Sequence, residues 1–548
     1  MGKPAASTAR IRVILTGRFR LESPLGQDIT PKGVKTQGLI ALLATSPDLS
    51  RNRRWLEGKL WSDRGPAQAS ASLRQSLAEL RRLLGPDLDI LLTDRQKVGL
   101  RRECSEIDLS HSGEREFLEG IDVRDPEFET WLRDQRHRLL VDQPLPLRVQ
   151  GALRQAEAPP AAPSLRSLRR PYVVVLQKSR RVADSLGLLE DLFIDAVALS
   201  LREALGVVVF LRQPSPELPD TLTVTVQAMS AGGEGQFLRV RAVEQASGQV
   251  IWSGRSENLA ASRSPEDLRL IHFANQAVEV LGDAISLQAD MPAELDSLAL
   301  HRLAVRKLWT MNPARLIEAE TLLALSDDMK PRSLNAARRA QLRVLQVIEG
   351  HVPDLPAARQ EAMAFARLAM ERDPNNSMVL AVVAYVHCAL DDTPAQGVEL
   401  ARRSVRLNPN NPLAWDSLSY AQLYSGQIEE AHALAQKVQS IGSSAPNKFW
   451  WDMGLCLTAV MSRQPELALR MAETTVAAAP DFRAALRYVV ALSAGMGNEA
   501  RARSAAHQLE QIESGFSLDA LARNPEYPIG MLRRAGLLPS ERILSISD

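Results

Sequence analysis

The sequence predicts a multidomain, mainly α-helical protein with two smaller parts that contain sheets. The chain has 548 residues, which is more than one hydrophobic core usually serves. Segments that alternate between apolar and polar residues, as strands do, are concentrated before about residue 290. After that point the apolar pattern is helical, and it repeats.

Residues 1–110 are predicted to form one small domain built from a strand, three helices and a hairpin. The segment IRVILTGRFRL, residues 11–21, is rich in β-branched residues and reads as one strand. Helices are expected at 35–44, at 53–61, and from Pro66 to the stop at Gly85-Pro86. Residues 89–93 and 97–101 are then expected to pair around residues 94–96. This order predicts a winged helix-turn-helix.

The third helix has two faces of opposite character. Leu73, Leu77, Leu80 and Leu84 fall within a narrow arc at 100° per residue, so this face is expected to be buried. Arginine and glutamine on the other face can form hydrogen bonds with base edges, and cations at the hairpin turn can bind phosphates. The candidate DNA-binding residues are Gln68, Arg74, Gln75, Arg81, Arg82, Arg95 and Lys97. The alternative is an exposed polar face without a ligand.

The charge of the chain is distributed unevenly. Residues 1–110 contain 19 Lys and Arg against 12 Asp and Glu, while the whole chain has a net charge of +1. A basic excess at the predicted helix and hairpin favours a nucleic-acid partner. A solvated surface has the same composition, so the charge alone does not decide.

The N-terminal motifs resemble those of a known family. GRFRL, the TQGLIALLATSP helix, the LW pair with its short loop, and ASLRQSLAELRRLLG occur in that order. They resemble the OmpR-type winged helix of the SARP-type transcription activators. The resemblance implies that the third helix is the recognition helix. It also implies that the loop Ser62–Gly65 contacts RNA polymerase, and a plain loop is the alternative.

The middle of the chain contains further resemblances. Residues 114–140 are similar to the start of the bacterial transcriptional activation domain, so 111–148 is predicted to be a helical remnant of it. A linker rich in Ala, Pro and Arg follows at 149–170. Residues 171–288 alternate strand and helix patterns and predict a small α/β domain. This domain resembles the TolB amino-terminal-like domain, although Gln177-Lys178 replaces its usual Pro-Phe.

Residues 289–548 are predicted to form a tetratricopeptide α-solenoid. Small residues recur at Ala362, Gly397, Ala431, Ala468 and Ala500, and alanine follows four residues after each of the first four. Twelve residues after the same four positions come Pro374, Pro409, Ser443 and Pro480. A period near 34 with small residues where helices touch is typical of tetratricopeptide repeats. The aromatic residues Trp415, Tyr420, Trp450 and Trp451 either fill the space between helices or line a peptide groove.

Other classes of function are not favoured by the sequence. The three cysteines are too scattered for a disulfide framework or a zinc site, and the histidines have no metal-ligand spacing. The glycine run Gly232–Gly235 lacks the features of a phosphate loop. The carboxylates Asp125, Glu127 and Glu129 are expected to be solvated and to cap a helix. We therefore expect no enzyme activity, no cofactor, no membrane span and a cytoplasmic location.

The sequence thus predicts a DNA-binding transcription regulator that is controlled through its repeats. Its expected partners are double-stranded DNA, RNA polymerase, a protein or peptide on the repeats, and a second copy in a homodimer. The alternative is an interaction scaffold whose winged helix no longer binds DNA. A third hypothesis is small-molecule sensing by the α/β domain, but nothing in the sequence locates a pocket there.

Overall fold

The computed structural model describes residues 10–46, 49–84, 90–94, 97–109, 117–125, 127–129, 131–132, 135–136, 173–179, 184–212, 221–231, 235–259, 264, 266–287, 297–352, 354–391 and 393–547. The chain forms two compact units, Met1–Val149 and Gln150–Asp548. The predicted linker at 149–170 lies outside the described residues. Among the described helices, none combines the length and the apolar character that crossing a membrane requires.

The described part of the first unit contains two small sheets and three complete helices, and further helical residues lie at 127–129, 131–132 and 135–136. Its elements are β1 (Ile11–Ile14), β2 (Arg20–Glu22), α1 (Val34–Ala44), β3 (Ser50–Asn52), α2 (Arg53–Leu60), α3 (Pro66–Leu84), β4 (Leu91–Thr93), β5 (Lys97–Leu100) and β6 (Ser105–Asp108). They form two three-stranded sheets, ordered β2-β1-β6 and β3-β5-β4. The predicted helices and the β4–β5 hairpin are confirmed.

The prediction of one strand at 11–21 is wrong. The segment folds back on itself, and β1 and β2 pair antiparallel with Val13 opposite Leu21. The chain reverses where Gly17 has a φ of 76°, a left-handed conformation that glycine adopts without a steric penalty. Apolar and β-branched residues occur on both sides of the turn, so composition alone does not reveal the reversal.

One hydrophobic core holds the first unit together. Leu73, Leu77 and Leu80 of α3 are buried in it, as their periodicity predicts. Phe117 and Phe128, which lie beyond the predicted boundary at residue 110, are buried in the same core. The described part of 117–132 therefore packs with the preceding helices. The division at residue 110 stays a prediction.

The second unit begins with a five-stranded sheet. Its elements are β7 (Val173–Lys178), α4 (Asp184–Leu205), β8 (Val208–Phe210), β9 (Thr221–Ala231), β10 (Gly235–Glu244), β11 (Val250–Arg255) and α5 (Leu268–Leu287). The strand order is β11-β10-β9-β7-β8, and β7 is parallel to both of its neighbours. Helices α4 and α5 share one core with the sheet, centred on residues such as Phe193, Val224 and Phe273.

Among the described residues, six pairs of contacting helices follow the sheet. They are α6 (Ser297–Leu308) with α7 (Pro313–Met329), α8 (Ser333–Glu349) with α9 (Leu355–Arg372), α10 (Ser377–Ala389) with α11 (Pro394–Leu407), α12 (Pro412–Tyr424) with α13 (Ile428–Ile441), α14 (Lys448–Met461) with α15 (Pro465–Ala478), and α16 (Arg483–Gly495) with α17 (Glu499–Ile512). Three short helices, α18 (Leu518–Arg523), α19 (Gly530–Arg534) and α20 (Ser540–Leu544), end the chain. The predicted helical repeats of the tetratricopeptide kind are confirmed, and we refer to these pairs as the array.

Small residues lie where the helices of the array cross. Ala362, Gly397, Ala431 and Ala468 are all buried in the second helix of their pair. The predicted fifth position is wrong, because Ala500 is exposed and Ala502 is the buried residue. Ala500 and Ala502 are two positions apart, which is about 200° around the helix axis, so only Ala502 lies on the buried face of α17.

The sheet and the array are joined by hydrogen bonds within the second unit. The carboxylate of Glu203, near the end of α4, accepts hydrogen bonds from Ser377 N (3.0 Å) and from Asn408 Nδ2 (2.8 Å). Asn275 on α5 donates to the carbonyl of Ile441 at 3.1 Å. These bonds satisfy polar groups at the ends of array helices, so the sheet domain is in direct contact with the array.

A substitution at Gly397 tests the close helix crossing. A Cβ at this position would overlap Cys388 Sγ and lie 3.2 Å from the carbonyl of Ala384. Gly397→Ala should therefore lower the free energy of unfolding by about 1–3 kcal/mol. Elsewhere in a helix, replacing glycine by alanine usually raises the free energy of unfolding by up to about 1 kcal/mol. Guanidinium unfolding followed by circular dichroism measures this. The exposed neighbour substitution Gln396→Ala should change stability by less than about 0.5 kcal/mol, and a stabilised Gly397→Ala would contradict the packing.

A second prediction concerns pH and the buried His301. Burial lowers the pKa of His301 to about 3, and its Nδ1 lies 2.7 Å from Asn335 Oδ1. In the unfolded chain, His301 takes up a proton below its ordinary pKa of about 6.5, whereas in the folded chain it stays neutral. The stability that neutral His301 provides is therefore lost as pH falls below about 6.5.

The variant His301→Asn keeps a donor for Asn335 and removes the titration. The stability difference between wild type and this variant should shrink by about 1.4 kcal/mol per pH unit between pH 6.5 and 4.5. Parallel unfolding curves across this range measure it. A difference that stays constant with pH would show that His301 takes up its proton equally in both states.

Candidate functional site

The third helix begins after an exposed loop and presents one face to solvent. The carbonyl of Gly65 accepts hydrogen bonds from the amides of Gln68 and Ala69, both at 3.0 Å, and Pro66 occupies the first turn, where a missing N–H costs nothing. The leucine face is buried in the core. The opposite face is left without a covering element among the described residues of the first unit.

The predicted DNA-binding residues of α3 all lie on its exposed side. Gln68, Arg74, Gln75, Arg81 and Arg82 are exposed, and so is Lys97 on β5. Arg95 lies outside the described residues. Gln68, Gln75 and Arg82 are seven residues apart, so they form a line of about 21 Å along the helix. Polar side chains at that spacing lie along one face of the helix.

The hairpin is attached to the helices by its polar groups. Arg81 on α3 donates a hydrogen bond to Thr93 Oγ1 on β4. Arg53 Nε, at the start of α2, donates to the carbonyl of Asp94 at 2.9 Å. The carboxylate of Asp94 accepts from the amide of Lys97 at 2.6 Å. Arg81 and Arg53 therefore position the hairpin beside the exposed line of α3, and Arg81 has a structural partner as well as an exposed guanidinium.

The loop between α2 and α3 is held by a buried carboxylate. Asp125 is 1% exposed and accepts hydrogen bonds from Ser62 N at 2.8 Å and Ser62 Oγ at 2.9 Å. It also accepts from the amide of Glu127 at 3.0 Å. Its capping role is confirmed, but the expectation that it is solvated is wrong. Residues Ser62–Gly65 themselves are exposed, and their contact with RNA polymerase stays a prediction.

The aromatic residues of the array divide into two groups. Trp415 donates to the carbonyl of Pro409 at 2.7 Å and lies under Lys437, while Trp451 is buried between helices. Tyr420 and Trp450 instead line a cavity of about 210 Å³ in the array. Asp416 also lines this cavity and was missed in the sequence, although its position four residues before Tyr420 places both on one helix face.

No metal site is found in the part of the chain that the structure describes, where no three His, Cys, Asp or Glu side chains come together. The turn residues 232–234 lie outside the described residues. Within the described residues, polar side chains thus come together in two places. These are the exposed side of α3 with its hairpin, and the cavity of the array.

Comparison with known proteins finds similarity to solved structures, among them tetratricopeptide repeat proteins. No family model matches the chain, and no curated protein sequence matches it. Among solved structures, MamA is 17% identical over 28% of this chain and 88% of its own, with a TM-score of 0.24. The pilF protein of Pseudomonas aeruginosa is 16% identical over 39% of this chain and 90% of its own, with a TM-score of 0.28. A tetratricopeptide protein of Thermus thermophilus is 16% identical over 35% of this chain and 96% of its own, and its TM-score is also 0.28. Values this low carry no argument about function.

Replacement of Asp125 tests how the loop before α3 is held. Asp125→Asn places an amide donor against the donors of Ser62 and Glu127, which costs about 1–3 kcal/mol when buried. Hydrogen exchange at the amides of Ser62 and Glu127 in the full chain should therefore accelerate by about tenfold or more. Asp122→Asn, an exposed carboxylate nearby, is the control and should leave both rates unchanged. Unchanged exchange in Asp125→Asn would rule out the anchoring role.

Proposed function

We propose that this chain is a transcription regulator, in which an interaction scaffold of helical repeats is joined to a DNA-binding N-terminal unit. The observation that carries the DNA-binding part is the exposed line of Gln68, Gln75 and Arg82 on α3, beside a hairpin attached to the same helix. The first unit is interpreted as a winged helix. The SARP-type resemblance of its motifs supports the same assignment.

In this proposal α3 enters the major groove of double-stranded DNA. The groove is about 12 Å wide and admits one helix. Arg82 and Arg74 would bond guanine or phosphate, and Gln68 and Gln75 would bond adenine. Lys97, with Arg95 beside it in the sequence, would contact the backbone that flanks the groove. Neither a cofactor nor a metal takes part in this recognition.

The array supplies the protein contacts. Stacked helix pairs form an extended surface, and such surfaces suit protein and peptide partners. Single DNA-binding modules of this size bind weakly, so two copies on repeated half-sites would raise the affinity. We propose a homodimer on DNA in the cytoplasm, with RNA polymerase as a partner of the loop Ser62–Gly65.

A pure interaction scaffold is the second candidate function. It is favoured by the size of the array, which takes up most of the second unit, and by the capacity of helical repeats to act without DNA. In this alternative the exposed face of α3 is a solvated surface. Binding to duplex DNA separates the two candidates directly.

A double substitution on α3 tests DNA binding. Duplexes selected by the wild-type chain from a random library serve as the probe, and the binding constant is measured at several salt concentrations. Affinity should fall as salt rises, because phosphate contacts release counterions. Arg74→Ala with Arg82→Ala should weaken binding by about 10–100-fold, since each good base contact contributes about 1–3 kcal/mol.

The control removes two cations elsewhere in the same unit. Arg18 and Arg20 are exposed and lie at the start of β2, outside α3 and its hairpin. Arg18→Ala with Arg20→Ala should keep the affinity within about threefold of wild type, because neither residue lies on the proposed contact surface. Equal affinity of the α3 double variant and wild type would refute the recognition-helix assignment. Failure of the wild type to select any duplex would favour the pure scaffold.

A further inference from the structure

The cavity of the array is lined by the first helices of successive pairs and closed by the end of the chain. It lies between α10, α12, α14 and α16, and residues 528–534 cover one side of it. Its volume is about 210 Å³, below the roughly 300 Å³ at which drug-sized ligand sites begin. The cavity therefore has room for a small group or one side chain. Its polar and aromatic lining includes Tyr385, Asp416, Tyr420, Tyr424, Trp450 and Arg534.

Asp416 is a buried carboxylate that lacks a countercharge. It is 5% exposed, and its Oδ2 accepts a hydrogen bond from Trp450 Nε1 at 3.1 Å. No Lys, Arg or His in the described ranges forms an ion pair with it. Burial raises the pKa of Asp416 well above its ordinary range. A buried carboxylate costs free energy unless a cation compensates for it.

The next repeat shows how the chain compensates for such a carboxylate. Asp452 is five residues after the N-cap of α14, as Asp416 is five residues after the N-cap of α12. Lys448, four residues before Asp452, places its Nζ 2.8 and 2.7 Å from the two carboxylate oxygens. The residue four before Asp416 is Pro412, which has no charge. Helix α12 itself therefore supplies no cation at this position.

The aromatic rings beside Asp416 suit a cation. The ring centroids of Tyr385 and Tyr420 are 5.2 Å apart, and those of Tyr385 and Trp450 are 6.2 Å apart. The faces of such rings are electronegative and attract ammonium groups. Of the described Lys and Arg side chains, none lies over these three rings. Arg534 instead lies over Tyr424 at 5.6 Å and is exposed, which places it at the outer edge of the cavity.

We propose that this cavity binds a primary alkylammonium group, with its N–H donors on Asp416 and its methylenes against Tyr385, Tyr420 and Trp450. The group occupies the place that Lys448 takes beside Asp452. It comes either from a lysine side chain of a protein partner or from a free small amine. The site goes beyond the proposed function, because it requires nothing of the N-terminal unit and holds whether or not that unit binds DNA.

The first test compares three ligands of equal size on the full wild-type chain. Butylammonium, 1-butanol and butyrate are titrated while the resonances or fluorescence of the cavity residues are followed. Butylammonium should bind at least about tenfold more tightly than the other two, because a charge-assisted bond to a carboxylate is among the stronger hydrogen bonds. Tighter binding of butyrate would assign the cavity to anions through Arg534, and equal binding of all three would make it a plain apolar cavity. Either result overturns the proposal.

The second test uses Asp416→Asn, which keeps an acceptor for Trp450 and removes the charge. Butylammonium affinity should fall at least about tenfold, with the melting temperature as the check on folding. Asp519→Asn removes an exposed carboxylate from α18, outside the cavity, and should leave the affinity unchanged. If Asp416→Asn binds as tightly as wild type, the proposal is wrong. If it does not fold, the wild-type ligand series decides alone.

The source of the ammonium group is settled by a peptide arm. An acetylated and amidated peptide with a central lysine is compared with the same peptide containing norleucine. Preferential binding of the lysine peptide identifies a protein partner, whereas binding of butylammonium without the lysine peptide identifies a free amine. Both results support the cavity as an ammonium site, and absence of both kinds of binding contradicts it.

Discussion

The close crossing of helices at small residues is the constraint on which the array depends. At Gly397 a single added carbon would meet Cys388 and the backbone of α10, and alanines occupy the equivalent buried positions of the neighbouring pairs. Because two helices approach this closely only where side chains are small, each crossing fixes the register of its pair. Repetition of that register stacks the pairs, and the stacking brings α10, α12, α14 and α16 around one cavity.

The same register explains why two equivalent carboxylates have different surroundings. Asp416 and Asp452 occupy the same position of successive first helices, so both are buried. Only Asp452 has a lysine one turn earlier. Proline at that place in α12 favours the start of the helix and at the same time leaves Asp416 without a cation. A single residue difference between repeats thus separates a structural ion pair from a candidate binding group.

Periodic patterns in the sequence were sufficient for the helices of both units, for the β4–β5 hairpin and for the repeats. They were insufficient where a local backbone conformation or a distant contact decides. Apolar residues occur on both sides of the reversal at Gly17, and the composition around Ala500 and Ala502 fits either register. Asp125 and Asp416 look like ordinary polar residues in the sequence. Their burial comes from segments distant in the chain, Ser62 for Asp125 and Trp450 for Asp416, and no local pattern encodes such pairs.

We propose above that one chain joins a DNA-binding unit to a protein-binding array. Genome-wide occupancy of the tagged full chain, measured in its own cells, tests this most directly. The expected result is a limited set of sites that share a short motif, repeated at a spacing of about one helical turn of DNA. Occupancy no greater than that of an untagged control, with protein partners still recovered on the array, would contradict it.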